Sequence, residues 1–396
     1  MFSEGKGPLI KKNIGKRKHR RLFFVVLFFL TIIIDGHPSV PVQAAEISGT
    51  VALPSGTTTV GVPVRISVWD PDSSQGYYST TITIPAGNSS QGYSLTVSDD
   101  QSASLIVSYF YNGGAWVQQG YYASGGTVWR ERDATRLPGG QNHAGNDLTL
   151  LPGNTISGNC SLPQGESAPI GGTPVQVSAY QVLNMPCWVS GTQCRVTIPE
   201  GENSTSYSMT VIDSADLAWR VEYFHDGHQY VQNGYYTGSG TTWNRNDAAQ
   251  LPGHQDHNDV NLALLIGNTI SGTVRLATGT APVGGVSPTI ITDNINGEYW
   301  EGSFGFATID EGESSVPFSV VVPINVNASW RIEYWCWSSQ CKRDYYRDSG
   351  YTADSSQATL LAGGQDYTDI QLILDRHRFP WNQFLPIIIN GMKQSR

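Results

Sequence analysis

Apolar and polar residues alternate with period two over most of the chain beyond residue 44, and one alternating pattern recurs three times. Ile47, Gly49, Val51 and Leu53 share one face of the first copy. Ile156, Gly158, Cys160 and Leu162 repeat that face, and Ile270, Gly272, Val274 and Leu276 repeat it again. Period two with a single apolar side predicts a half-buried strand. A glycine turn follows each copy (Gly61; Gly171 and Gly172; Gly284 and Gly285). It leads to a second alternating strand with Val64, Ile66 and Val68, or Val175, Val177 and Ala179, on its inward side.

The copies stay in step further on. Each has an isoleucine-led turn at Ile84, Ile198 or Ile309, then a strand opened by Tyr93, Tyr207 or Phe318. A hairpin comes next, with Tyr109, Tyr223 or Tyr334 on its first arm. Its return arm carries the adjacent pairs Tyr121/Tyr122, Tyr235/Tyr236 and Tyr345/Tyr346. Each copy closes on a glycine turn holding Gln141, Gln255 or Gln365 and a strand rich in leucine or isoleucine. The hexapeptide G-N-T-I-S-G, at 153–158 and 267–272, marks the junctions. About seven strands per copy, with no helical period, predict an all-β chain of tandem immunoglobulin-like β-sandwich modules. The boundaries read as 47–155, 156–269 and 270–374. The module starts lie 109 and 114 residues apart, too long for solenoid or propeller units.

The I-S-G-T-V opening, the proline–glycine turn and the V-x-V second strand resemble the carboxypeptidase-regulatory-like, transthyretin-type group of β-sandwich repeats. The resemblance covers about the first 25 residues of each module. It implies a sandwich at the cell surface or outside it, acting as spacer, stalk or adhesion unit rather than enzyme. Collagen-adhesin B-type modules look similar and often carry a Lys–Asn cross-link. Beyond residue 44 this chain holds only Lys342 and Lys393, so that cross-link cannot form within module one or module two.

Composition changes the picture chiefly at the ends. Residues 1–44 hold eight Lys or Arg against Glu4 and Asp35, and a basic run precedes thirteen residues, 22–34, that are apolar except for Thr31. Small residues at Val42-Gln43-Ala44 complete the layout of a secretory signal cleaved after Ala44, with an uncleaved anchor as the alternative. The rest carries 16 basic and 31 acidic residues, a net of −15. So acidic a body argues against nucleic-acid binding. The tail, 375–396, contains Phe384-Leu385-Pro386-Ile387 and is similar to short F/Y-L-P-aliphatic endings of exported bacterial proteins. It reads either as an attachment signal or as an extra edge strand.

Candidate chemistry is sparse. No G-x-S-x-G, H-E-x-x-H or phosphate-binding loop occurs, and no enzymatic activity is expected. Cys187 with Cys194, and Cys336 with Cys341, have spacings that suit cross-strand disulfides in an exported protein. Cys160 takes a core position and reads as a buried thiol. Module two holds two H-x-x-H groups, His225/His228 and His254/His257, which would surround Zn²⁺ or Ni²⁺ if their loops shared one pole. No cofactor is required by the sequence; Asp70/Asp72, Asp256/Asp259 and Asp310/Glu311/Glu313 leave Ca²⁺ open. Neighbouring residues on a strand face opposite ways, so one tyrosine of each pair points away from the core. With Trp69, Trp116, Trp129, Trp243, Trp300 and Trp337, these tyrosines either stack on sugar rings or cover the core edge. The leading expectation is an exported scaffold or adhesion protein whose partner is a cell-surface or extracellular polymer. Carbohydrate binding through Tyr121, Tyr122, Trp129, Tyr235, Tyr236, Trp243, Tyr345 and Tyr346 is the second.

Overall fold

The computed structural model describes residues 44–72, 77–98, 103–182, 192–226, 229–296, 302–336 and 343–374. The basic and apolar run of 1–43 and the tail of 375–396 lie outside them. The described residues fall in one compact unit and are all β apart from three 3₁₀ turns.

Module one contributes β1 (Ala45–Ala52), β2 (Val62–Trp69), β3 (Tyr78–Ile84), β4 (Ser90–Val97), β5 (Ser104–Phe110), β6 (Gln119–Ala123), β7 (Gly126–Val128), β8 (Leu137–Pro138) and β9 (Leu148–Thr149). A smaller sheet has the order β4-β1-β9; a larger one has β3-β2-β5-β6-β7, with β8 beside β5. Module two repeats this. Its strands are β10 (Gly153–Ser161), β11 (Thr173–Gln181), β12 (Thr192–Ile198), β13 (Ser204–Ile212), β14 (Ala218–Phe224), β15 (Asn233–Tyr236), β16 (Thr241–Thr242), β17 (Leu251–Pro252) and β18 (Leu262–Ala263). They form β13-β10-β18 and β12-β11-β14-β15-β16, with β17 beside β14. Module three has β19 (Gly267–Leu276), β20 (Pro288–Asn294), β21 (Phe304–Phe306), β22 (Ser315–Pro323), β23 (Ser329–Cys336), β24 (Asp344–Arg347), β25 (Gly350–Thr352), β26 (Leu360–Ala362) and β27 (Tyr367–Leu374), in the same two sheets. The closing strands run parallel to the opening ones (β1 with β9, β10 with β18, β19 with β27).

Alternation delivers the inward residues to three cores. In module two Ile156, Cys160, Val175, Val177, Trp219, Val221 and Tyr223 are all at most 2% exposed. The I-S-G signature has a physical reason at its glycine. The chain just before the closing strand, or in module three within it, passes directly over that residue: a Cβ on Gly158 would sit 2.2 Å from the Val260 carbonyl oxygen. Gly49 would meet Asn146 O at 2.5 Å, and Gly272 would meet Ile370 O at 1.9 Å. Only glycine allows two backbones so close.

The turn that carries Gln141, Gln255 or Gln365 pins the same strand from its other end. Asn142 accepts from Glu46 N, Asp256 from Thr155 N and Asp366 from Thr269 N. His143 and His257 each hydrogen-bond a proline carbonyl five residues back, at 2.7 Å, and the Tyr367 hydroxyl donates likewise to Ala362 O.

Candidate functional site

The predicted aromatic platforms are closed. Tyr121, Tyr235 and Tyr345 pair in register with Ser108, Glu222 and Glu333, so they occupy the outer face of each larger sheet. They are nevertheless only 5%, 5% and 8% exposed. Trp69 meets Tyr121 edge-on with ring centroids 6.1 Å apart, and Arg331 lies over the Tyr345 ring at 5.3 Å. Their neighbours Tyr122, Tyr236 and Tyr346 turn inward onto the three cores. Arg130 caps the Trp129 ring at 4.1 Å, while Trp129 itself packs on the module-two core. Trp243 is partly exposed; Trp300 and Trp337 lie outside the described residues. Tyrosine alternation was readable from the sequence; the polar and aromatic cover over the outer member was not.

That cover differs between modules. In module one it is Ser67, Ser108 and Trp69. In module three Arg331 holds Asp293 at 3.0 Å, and Arg343 holds Glu333 at 2.8 Å. In module two Glu222 sits between Tyr180, which hydrogen-bonds it, and the charges of Arg245 and Arg220. Burial outweighs these partners and pushes its carboxyl up to about 7. A carboxyl whose folded pKa exceeds its unfolded one contributes stability that is complete below the ordinary value and is lost as pH rises through about 7. Stability should therefore fall across that window. Glu222→Gln should flatten the fall and raise stability at about pH 8 by roughly 2 kcal/mol; urea unfolding at a series of pH values measures both.

The junctions hold the geometry that sequence reading missed. The Gln118 side chain donates to Gln193 O at 3.3 Å and accepts from Gln193 N at 3.2 Å. Gln232 repeats this on Phe304, at 3.1 and 2.9 Å. A primary amide offers one donor side and one acceptor, as a peptide group does, so each glutamine occupies a residue of the next module's edge strand like a ladder partner. Val117 enters the module-two core, and Phe224 stacks on Phe304 with centroids 5.7 Å apart. Thr210 Oγ1 also donates to Gly114 O across the first seam. A cavity of about 210 Å³ remains there, lined by Trp116, Gln118, Cys194 and Tyr207 among others. The signal was present: Gln118 and Gln232 align, and the position in module three is Lys342.

The described histidines do not converge. His225 follows β14 and bonds Pro174 O at 3.0 Å through Nδ1. Its ring packs on Tyr230 as Tyr111 packs on Trp116 in module one, which marks a structural place for an aromatic ring. His254 and His257 belong to the turn beyond β17, which pairs with the opposite end of β14, about 20 Å away at ~3.3 Å per residue. His254 pairs with Asp213 at 2.5 Å and has φ 63°, where Gly140 and Gly364 stand in the other modules. His257 is held by Pro252 O, and His228 lies outside the described residues. Among the described residues no three His, Cys, Asp or Glu side chains group as metal ligands.

The expected Cys187–Cys194 disulfide is corrected: Cys194 is a free thiol. It lies on the inward side of β12 with Thr192, Val196 and Ile198, packed against the core, and burial pushes its pKa up to about 11. Cys187 lies outside the described residues. Cys160 is free and buried, its thiol pushed by burial up to about 12. Cys336 is disulfide-bonded; its expected partner Cys341 lies outside the described residues. No described helix is long and apolar enough to cross a membrane.

No protein-family model matches the chain, and no curated protein matches it. Among solved structures, the Bacillus anthracis TIE protein is similar over 84% of this chain and 51% of its own length, at 8% identity and a TM-score of 0.16. The pilus adhesin SpaC from Lactobacillus rhamnosus GG is similar over 84% of this chain and 43% of its own, at 11% identity and 0.19. A streptococcal ancillary pilin covers 83% and 98%, at 9% identity and 0.19. The chain thus spans about half the length of the first two. Identities and TM-scores this low leave its function to rest on its own residues.

Proposed function

We propose that the chain is a non-enzymatic, exported scaffold or adhesion element, acting at the cell surface or outside the cell on an extracellular polymer. The observation that supports this best is the doubled seam. Module ends held by a glutamine amide, core insertion and aromatic stacking resist bending, as a load-transmitting element requires. The acidic body and the basic–apolar start of the chain fit export. Gln232→Ala should leave the module cores folded while removing two hydrogen bonds, weakening the second seam by about 1–2 kcal/mol. Limited proteolysis is the measurement: cleavage around 265–267 should accelerate with the circular dichroism spectrum unchanged. Unaltered cleavage would remove the rigid-seam argument. The assignment itself is tested by cell fractionation with mass spectrometry of both termini. An envelope or extracellular chain beginning near residue 45 is expected, and a cytoplasmic chain or turnover in a hydrolase screen overturns it.

Carbohydrate binding through exposed aromatics is the second reading, and the partly exposed Trp243 is what favours it. Glycan-array binding lost in Trp243→Ala but retained in Tyr235→Ala is the expected pattern, because Tyr235 is covered.

A further inference from the structure

Module two presents two guanidinium groups on the outer face of its larger sheet, and neither has a carboxylate within ion-pair distance among the described residues. Arg220 projects from β14 opposite Tyr180 of β11. Arg245 opens the 3₁₀ turn Arg245–Asp247, close enough for its charge to act on Arg220. Burial first, and then the charge of Arg245, lower the pKa of Arg220, so the two cations act on each other. Arg220 Nε is buried with no hydrogen-bond partner, as is Arg331 Nε in module three, so what sets module two apart is the absent carboxylate.

The sister module shows what is missing. Arg331 stands at the register position of Arg220, opposite Asp293, and binds that carboxylate at 3.0 Å. In module two the place of Asp293 is taken by Tyr180. The segment 183–191 that follows β11 contains no Asp or Glu to replace it. The carboxyl whose charge acts on both arginines, Glu222, is held by Tyr180 and is half neutral near pH 7. A partly desolvated, unpaired cation is costly to a fold unless something supplies the counter-charge.

The geometry points to Arg220 and Arg245 as a binding site for the carboxylate or sulfate group of an external ligand, seated beside Tyr180 on the outer face of module two. The guanidinium fork matches the two oxygens of such a group, and partly exposed Trp243, two residues before Arg245, offers an apolar surface for the body that bears it. The groups facing Glu222 are Tyr180 from β11, Arg220 from β14, Tyr235 from β15 and Arg245 from the turn. As Glu222 ionises, its own carboxylate competes for the arginines, so binding weakens as pH rises through about 7. The site goes beyond the scaffold reading and does not depend on it. The group has two sources, a free organic or inorganic anion and an acidic polysaccharide.

Calorimetric titration of the purified chain with sodium sulfate, sodium galacturonate and oligogalacturonate tests the site. Saturable binding is expected, weakened about tenfold or more in Arg245→Ala, whose exposed position spares the fold. Tyr180→Asp recreates the pairing of module three and should abolish binding while keeping the melting temperature at or above that of the parent. Oligogalacturonate binding tighter than the monomer supports the site and assigns it to a polymer; equal affinity supports it and assigns a free anion. No saturable heat with any probe overturns the proposal, and so does binding that survives both Arg245→Ala and Tyr180→Asp.

Discussion

Gly158→Ala should unfold module two or leave it at least about 3 kcal/mol less stable. The added methyl would lie 2.2 Å from the Val260 carbonyl oxygen and 2.5 Å from its carbon. Both are backbone atoms, so no rotamer change relieves the clash. The segment that includes Val260 would have to lift from β10, uncovering Ile156 and Leu262, which are 0% and 1% exposed. Gly240→Ala is the control in the same module, because nothing lies within 4 Å of its Cβ; a change within about 0.5 kcal/mol is expected. Denaturant unfolding of both variants decides the matter. An undiminished midpoint for Gly158→Ala would mean that the closing segment does not run over the I-S-G strand.

The second large effect belongs to Tyr223. Its ring is fully buried, and its hydroxyl accepts from Leu265 N at 3.0 Å while donating to Val231 O at 3.1 Å. One oxygen thus ties the central strand, the hairpin tip and the link into module three. Tyr223→Phe keeps the ring and strands one buried and one part-buried backbone group, at about 1–3 kcal/mol each. A loss of about 2–4 kcal/mol is expected, along with faster hydrogen exchange at the Leu265 amide. Tyr109 makes the same pair of bonds, to Leu151 N and Val117 O, so Tyr109→Phe should act alike at the first junction.

Strand identity was legible because each sheet buries one face, and that asymmetry writes period two into the sequence. The two- and three-residue strands β7, β8, β16, β17, β25 and β26 left no such trace, which is why about seven strands per module were expected where nine occur among the described residues. Repetition of I-S-G was equally plain, yet its reason lies about a hundred residues away at Asn146, Val260 and Ile370. Gln118 and Gln232 escaped notice for a similar cause, since their partners are 75 and 72 residues distant. The H-x-x-H pairs looked alike in spacing, but strand register puts His225 and the His254/His257 turn at opposite ends of β14. Alternation also revealed that one tyrosine of each pair faces outward. Whether that face stays open depends on the long-range placement of Trp69, Arg245 and Arg331, which no local pattern encodes.

Outer strands of a sheet invite pairing with other molecules, because their unused peptide groups can template further β-structure. The side-chain amides of Gln118 and Gln232 occupy such groups near the start of β12 and at the start of β21. Cutting the chain into single units would strip this protection from the second and third while leaving their cores intact. Recombinant fragments beginning at Gly153 or Gly267 should accordingly self-associate more readily than the uncut protein, so neighbouring units act as each other's guard against aggregation.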